Sequence, residues 1–137
     1  MLFGKKKKDS ADEWKRTAEK LHDKGELPSP YESLFLYCVY MMSFIPKRKY
    51  RGVGHHSYFE DAEMKGNLDA VVRDMQSILP PHLADNFNSA LELYKSFTED
   101  TDFDTFLDEF DKYDSYTYDY DDEMNDILRH YIELSNL

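Results

Sequence analysis

Apolar residues in this chain recur at intervals of three and four, the spacing of one helix face, far more often than in alternation. Trp14, Ala18 and Leu21 share one face of a helix predicted over residues 10–24. Ser10 would be its N-cap, Glu13 would complete a capping box, and Gly25 supplies the stop. Leu27-Pro28-Ser29-Pro30 reads as a linker. Ser29 is placed as N-cap and Pro30 as first residue of a second helix ending before Pro46. That helix holds the run from Leu34 to Met42 and is apolar nearly all round, the mark of a central buried helix. A basic loop over residues 47–54 and a short helical segment over 55–65 follow.

The next helix, over 68–79, carries Leu68, Val71, Val72, Met75 and Leu79, and Pro80-Pro81 ends it. Another over 82–97 would bury Leu83, Phe87, Ala90, Leu91 and Tyr94. After an acidic connection over 98–102, Phe103, Phe106, Leu107 and Phe110 predict a helix over 104–113. Met124, Ile127, Leu128, Tyr131 and Ile132 predict the last, over 121–134. Tyr116, Tyr118 and Tyr120 alternate as in a strand, but no partner strand is evident. The fold class is all-α: a single compact domain of about six helices over residues 10–137, behind a flexible basic tail at 1–9.

Composition supports a packed core. The chain has 137 residues, about one domain, and 41% of them are hydrophobic and 15% aromatic. Its single cysteine, Cys38, excludes an internal disulfide and fits a reducing compartment. Lying in the apolar run, it reads as a buried, inert thiol. No secretory signal is visible, and the longest apolar run falls short of the ~20 residues of a membrane span. The expected location is the cytoplasm.

Charge changes the picture most. Residues 1–51 hold twelve Lys or Arg against seven Asp or Glu, a net of +5; residues 52–137 hold five against twenty-one, a net of −16. The acidic half would repel phosphates, so it is not expected to bind nucleic acid directly. Residues 98–126 concentrate thirteen Asp or Glu, one Lys (Lys112) and seven aromatics: Phe103, Phe106, Phe110, Tyr113, Tyr116, Tyr118 and Tyr120. A disordered acidic tail would lack those anchors. With the aromatics fixing the backbone, carboxylates three or four residues apart stand roughly 5–6 Å from one another. That is comparable to the spacing of phosphates along a DNA strand, a few times the ~1.7 Å axial charge spacing of the duplex. The bland alternative is a solvated, solubilising face. The basic groups, Lys5 to Lys8 and Lys47, Arg48, Lys49 and Arg51, read as a solvated tail and loop, able to touch anionic lipid, RNA or an acidic surface.

Other chemistry is sparse. Asp100, Asp102 and Asp104 alternate as in a calcium loop, with Leu107 at the eighth position and Asp108 at the ninth. However, Thr105 stands where a Gly is needed and Asp111 where a bidentate Glu belongs, so no specific calcium site is expected. His55 and His56 are adjacent, point about 100° apart on a helix, and have no partner at zinc spacing, so no metal is expected. His22, His82 and His130 are isolated. No nucleophile elbow, phosphate-cradling loop or cofactor motif is present, and neither an enzyme nor a cofactor is expected.

The stretch Val53-Gly54-His55-His56-Ser57-Tyr58-Phe59-Glu60-Asp61 resembles the signature of the DMP-nineteen-like DNA-mimic domain family, which shows Gly-Gly-Phe-x-Gln-Phe-Phe-x-Asn after a mostly apolar helix. Leu79-Pro80 with Asn86-Phe87-x-x-Ala90-Leu91-x-x-Tyr94, then Phe103, Leu107, Phe110 and Leu128-x-x-Tyr131-Ile132, match its later elements. The likeness would cover about residues 30–135. Val53, His55, Ser57 and Asp61 depart from the signature's first Gly, its Phe, its Gln and its Asn. The resemblance implies an all-helical acidic protein, in one studied branch a dimeric mimic of DNA that sequesters a DNA-binding regulator. A homodimer is among its implications.

The leading expectation is a protein-interaction module that binds a basic or DNA-binding protein through Asp100, Asp102, Asp104, Asp108, Glu109, Asp111, Asp114, Asp119, Asp121 and Asp122. The alternative is an enzyme or small-ligand binder with a pocket around Gly54, His55, His56, Tyr58 and Glu60.

Overall fold

A computed structural model describes residues 2–42 and 53–135. Among them are eight helices and no strand: α1 (Leu2–Asp23), α2 (Tyr31–Tyr40), α3 (Gly54–Met64), α4 (Leu68–Ile78), α5 (Pro81–Lys95), α6 (Phe103–Asp108), α7 (Asp111–Asp119) and α8 (Asp121–Ser135). The all-α expectation holds. The basic residues Lys47, Arg48, Lys49 and Arg51 lie outside the described residues.

Helix α2 is the centre, as its all-round apolarity requires. Leu34, Phe35, Tyr37, Cys38 and Val39 are each no more than 1% exposed. Helices α1, α3, α4 and α8 pack around it, while α5 lies against α3 and α7. Phe59, Met75, Leu83, Phe87, Met124, Leu128 and Ile132 complete one continuous core. Stacked rings join distant segments: Tyr31 lies on Tyr131 with centroids 4.0 Å apart, and His22 on Phe35 at 4.7 Å. Cys38 has no exposed surface, which agrees with an inert thiol.

Helix boundaries differ from the sequence reading in four places, each for a local reason. The first helix starts at Leu2, so Ser10 is interior and the stretch read as a flexible tail continues α1; lysine is a good helix former and Lys5 to Lys8 extend the helix without a breaker. Pro30 occupies the N-cap of α2, because the Ser29 hydroxyl donates to Asp74 Oδ2 at 3.2 Å instead of capping, beside the Ser33 hydroxyl at 2.8 Å. Helix α2 ends at Tyr40, where Met42 turns through a positive φ of 59°. The helix expected over 104–113 is two helices. Glu109 N–H is shared between Thr105 O and Phe106 O at 3.2 Å each, and Phe110 N–H reaches back three residues to Leu107 O at 3.1 Å. This tightened turn re-aims the chain into α7. The alternating tyrosines are therefore not a strand: Tyr116 and Tyr118 are helical and Tyr120 caps α7, with the Tyr116 and Tyr120 centroids 4.9 Å apart and Tyr118 exposed.

The start of α3 ties this acidic segment to the core. Val53 offers no side-chain cap, and Asp114 of α7 supplies one across 59 residues: His55 N–H donates to its Oδ1 at 2.9 Å. Gly54 makes the approach possible. Its φ is +87°, and a Cβ there would meet Asp114 Oδ2 at 2.4 Å and Cγ at 2.9 Å. Gly66 has a similar φ of +75° with nothing within 4 Å of its would-be Cβ. Gly66→Ala should therefore cost only left-handed strain, about 1–2 kcal/mol. Gly54→Ala adds the displaced carboxylate and should cost about 1–3 kcal/mol more. Denaturant unfolding of both variants checks this; equal losses would show that the Asp114 contact does not hold α3.

Candidate interaction surface

The three helices that carry the acidic segment are amphipathic in an unusual sense: aromatics and a threonine face inward, carboxylates outward. Phe106, Phe110, Thr117 and Met124 are each at most 2% exposed. Ten of the thirteen carboxylates over 98–126 are exposed: Glu99, Asp100, Asp102, Asp104, Asp108, Glu109, Asp111, Asp119, Asp122 and Asp126. Phe103, Tyr118 and Tyr120 are also exposed, at 48%, 54% and 39%. The surface is thus a ridge of negative charge interrupted by rings, which large, desolvating contacts favour.

Not every acid plays the same part. Asp102 caps α6, its Oδ2 accepting from Thr105 N–H at 3.0 Å and from the Thr105 hydroxyl at 2.6 Å. Those hydrogen bonds hold its carboxyl below the ordinary range. Because residues 103–108 are helical, the alternate aspartates do not wrap a loop as a calcium site requires. Among the described residues no three His, Cys, Asp or Glu side chains converge as metal ligands. Asp121 is half-buried, and burial, then the neighbouring Asp122, pushes its carboxyl up. Glu123 accepts from His82 Nε2 at 2.9 Å while Tyr116 OH bonds His82 Nδ1 at 2.8 Å, fastening α8 and α7 to α5.

Asp114, expected on the outer face, turns inward. Its Oδ1 accepts from His55 Nδ1 at 2.6 Å as well as from the His55 amide. His55 Nε2 meets Tyr37 OH at 2.5 Å, and Tyr37 OH meets Thr117 Oγ1 at 3.2 Å. Asn86 Nδ2 donates to Thr117 Oγ1 and to Tyr113 O, both at 2.9 Å. An amide nitrogen only donates, so Thr117 accepts from Asn86; a carboxylate only accepts, so His55 Nδ1–H donates to Asp114; between them the Tyr37 hydroxyl bonds both Thr117 Oγ1 and His55 Nε2. The Tyr37 and Thr117 hydroxyls and both ring nitrogens of His55 thus each have a partner. Burial raises the Tyr37 phenol far above its ordinary range, and the Tyr58 phenol likewise, with Tyr58 OH donating to Ser33 O at 2.8 Å. Tyr37 and His55 have no exposed surface, and only the Asp114 end of this acid–imidazole–phenol chain, its side chain 30% exposed, borders solvent. It positions helices.

The five residues of the alternative pocket do not share a cavity, because successive residues on α3 fan out around its axis. His55 and Tyr58 are buried. Gly54 lines a shallow depression of about 260 Å³ with Asp114 and Tyr118. His56 and Glu60 line a separate cleft of about 440 Å³, completed by Glu63, Leu68, Tyr94, Lys95, Phe97, Phe103 and Phe106. The sequence reading missed this cleft, though three pairs in it, Glu60 with Glu63, Tyr94 with Phe97 and Phe103 with Phe106, each sit at a helical spacing of three.

Asp114→Ala and Asp108→Ala remove the same charge and should differ sharply in stability. The first leaves a buried imidazole and an amide without their acceptor, at about 2–4 kcal/mol; the second should stay within about 0.5 kcal/mol. Equal effects would contradict the inward placement. The raised phenols add a pH dependence. Folded Tyr37 and Tyr58 keep protons that the unfolded chain releases above pH ~10, so their contribution is intact below that pH and lost as pH rises past it. Denaturant midpoints above pH ~10 should therefore fall less for the Tyr37→Phe variant than for the parent.

No helix among the described residues is long and apolar enough to cross a membrane. No family model, curated protein or solved structure matches the chain.

Proposed function

We propose that this chain is a non-enzymatic interaction protein whose acidic ridge imitates the phosphate array of DNA and binds a basic, DNA-binding protein. The observation that carries the reading is the ridge itself: ten carboxylates are exposed while Phe106, Phe110 and Thr117 on the same segment are locked into the core. A fixed array keeps its geometry before binding and loses less entropy than a flexible tail when it meets fixed lysines and arginines. The net charge of −16 over residues 52–137 adds a long-range field that favours a cationic partner and disfavours nucleic acid. Asp114 drops out of the contact set, Asp102 does double duty as a cap, and the ridge proper runs through Asp100, Asp104, Asp108, Glu109, Asp111, Asp119 and Asp122, with Asp121 half-buried at its end. The single buried Cys38 suits a reducing compartment such as the cytoplasm.

Exposed charges are strongly screened, because the Debye length falls from about 10 Å at 0.1 M salt to about 3 Å at 1 M. Binding partners captured from native lysate should be basic, released by salt and displaced by duplex DNA. The triple variant Asp104→Asn, Asp108→Asn, Asp111→Asn leaves the α6 cap intact and should unfold like the parent. It should bind the captured partner at least tenfold more weakly, mainly through a slower association rate. An acidic partner, one without affinity for nucleic acid, or unchanged binding by the triple variant would refute the mimicry.

A further inference from the structure

The cleft between α3, α5 and α6 has a makeup that solubility does not explain. Its floor is His56, ringed by Tyr94, Phe103, Phe106 and Phe110 with centroids 5.6–5.8 Å away. Phe97 closes one side, 5.0 Å from Phe106 and 6.0 Å from Phe103. Phe97 and Phe103 keep 45% and 48% of their surface exposed. Two carboxylates from successive turns of α3, Glu60 and Glu63, stand over this aromatic basin. Glu63 is oriented by the Tyr94 hydroxyl, which donates to its Oε1 at 2.5 Å. The volume, about 440 Å³, falls in the ~300–1,000 Å³ range of ligand clefts.

We propose that this cleft binds an arginine side chain of the basic partner. The inference rests on the reading of the chain as an acidic interaction protein and supplies that interaction with a specific anchor. A guanidinium is planar, weakly hydrated and always charged. It can lie on exposed ring faces while its N–H groups meet carboxylates at the edge, where an ammonium offers only a compact, strongly hydrated charge. Rings on several sides exclude water, which strengthens both the ring and the carboxylate contacts. Burial lowers the His56 imidazole below its ordinary range, against the opposing pull of Glu60, so the floor is neutral at pH 7 and does not repel a cation. Lys95 lies on the rim, and its charge opposes the ligand.

The test titrates the full chain, labelled for amide NMR, with acetyl-Gly-Arg-Gly-amide at constant low ionic strength. Analogues carrying lysine or uncharged, near-isosteric citrulline are titrated alongside. The arginine peptide should shift the amides of His56, Tyr94 and Phe103, with the lysine peptide weaker and citrulline at least tenfold weaker. Phe103→Ala, which removes a half-exposed ring, should weaken binding roughly five- to thirtyfold. Glu60→Gln should also weaken it, and Lys95→Gln should tighten it. Equal binding of citrulline or lysine, tighter binding in Glu60→Gln, or weaker binding in Lys95→Gln would overturn the assignment. So would shifts confined to the ridge around Asp108, Asp111 and Asp119, but that pattern would leave the acidic-interaction reading standing. Conversely, cleft binding of the arginine peptide alongside a captured partner that is not basic would leave the cleft intact and remove the mimicry.

Discussion

The hydrogen bonds of Asp114 join the acidic segment to the rest of the molecule. One carboxylate oxygen accepts from both the amide and the ring of His55, and through that ring the chain of donors continues to Tyr37 in the central helix and on to Thr117 and Asn86. Four helices, α2, α3, α5 and α7, meet in this one network. A typical internal hydrogen bond is worth only about 0.5–1.5 kcal/mol net, but a buried donor left without its acceptor costs about 1–3 kcal/mol. The network therefore specifies the position of α7 more than it stabilises the fold, since any other placement strands several polar groups at once.

That constraint has a consequence for charge. A segment with thirteen acidic residues repels itself, and repulsion alone would favour an expanded chain. Here the repulsion is opposed from within: Phe106, Phe110, Thr117 and Met124 hold the inner face, Asp114 is consumed in the network, Glu123 is bonded to His82, and ten of the thirteen carboxylates stand on the outer face. The acidic ridge and the aromatic cleft are then two sides of one arrangement. Phe103 and Phe106, which begin the ridge, also wall the cleft, so a partner seated on the ridge has an aromatic recess within reach.

Much of the fold was legible along the chain because it rests on local periodicity. The buried central helix follows from Leu34 to Met41, and α4, α5 and α8 from apolar residues at intervals of three and four. Pro81 at the start of α5 and Gly25 after α1 mark boundaries by their own backbone preferences. What could not be read depends on distant partners. Nothing in the spacing separates Asp114 from Asp111 or Asp119; its fate is decided by the tightened turn at Glu109 and Phe110 and by His55, 59 residues earlier. Gly54 stood out in the sequence as part of a motif and of an alternative pocket, and its packing role emerges only once the Asp114 carboxylate lies where a Cβ would be. The cleft was invisible for the same reason. Its residues come from α3, α5, α6 and the turn after α5 that carries Phe97, and each pair reads as ordinary helix patterning until these segments are brought together.

Order in the acidic segment is the central claim, and amide hydrogen exchange of the isolated protein measures it directly. If rings and network hold the ridge, the amides of α6 and α7 from Phe106 onward should be protected to a degree approaching those of α5, and raising the salt should change their rates little. Exchange at the rate of an unstructured chain in low salt, with protection appearing only when salt screens the carboxylates, would contradict the account. The segment would then be a repelling acidic tail rather than a built surface.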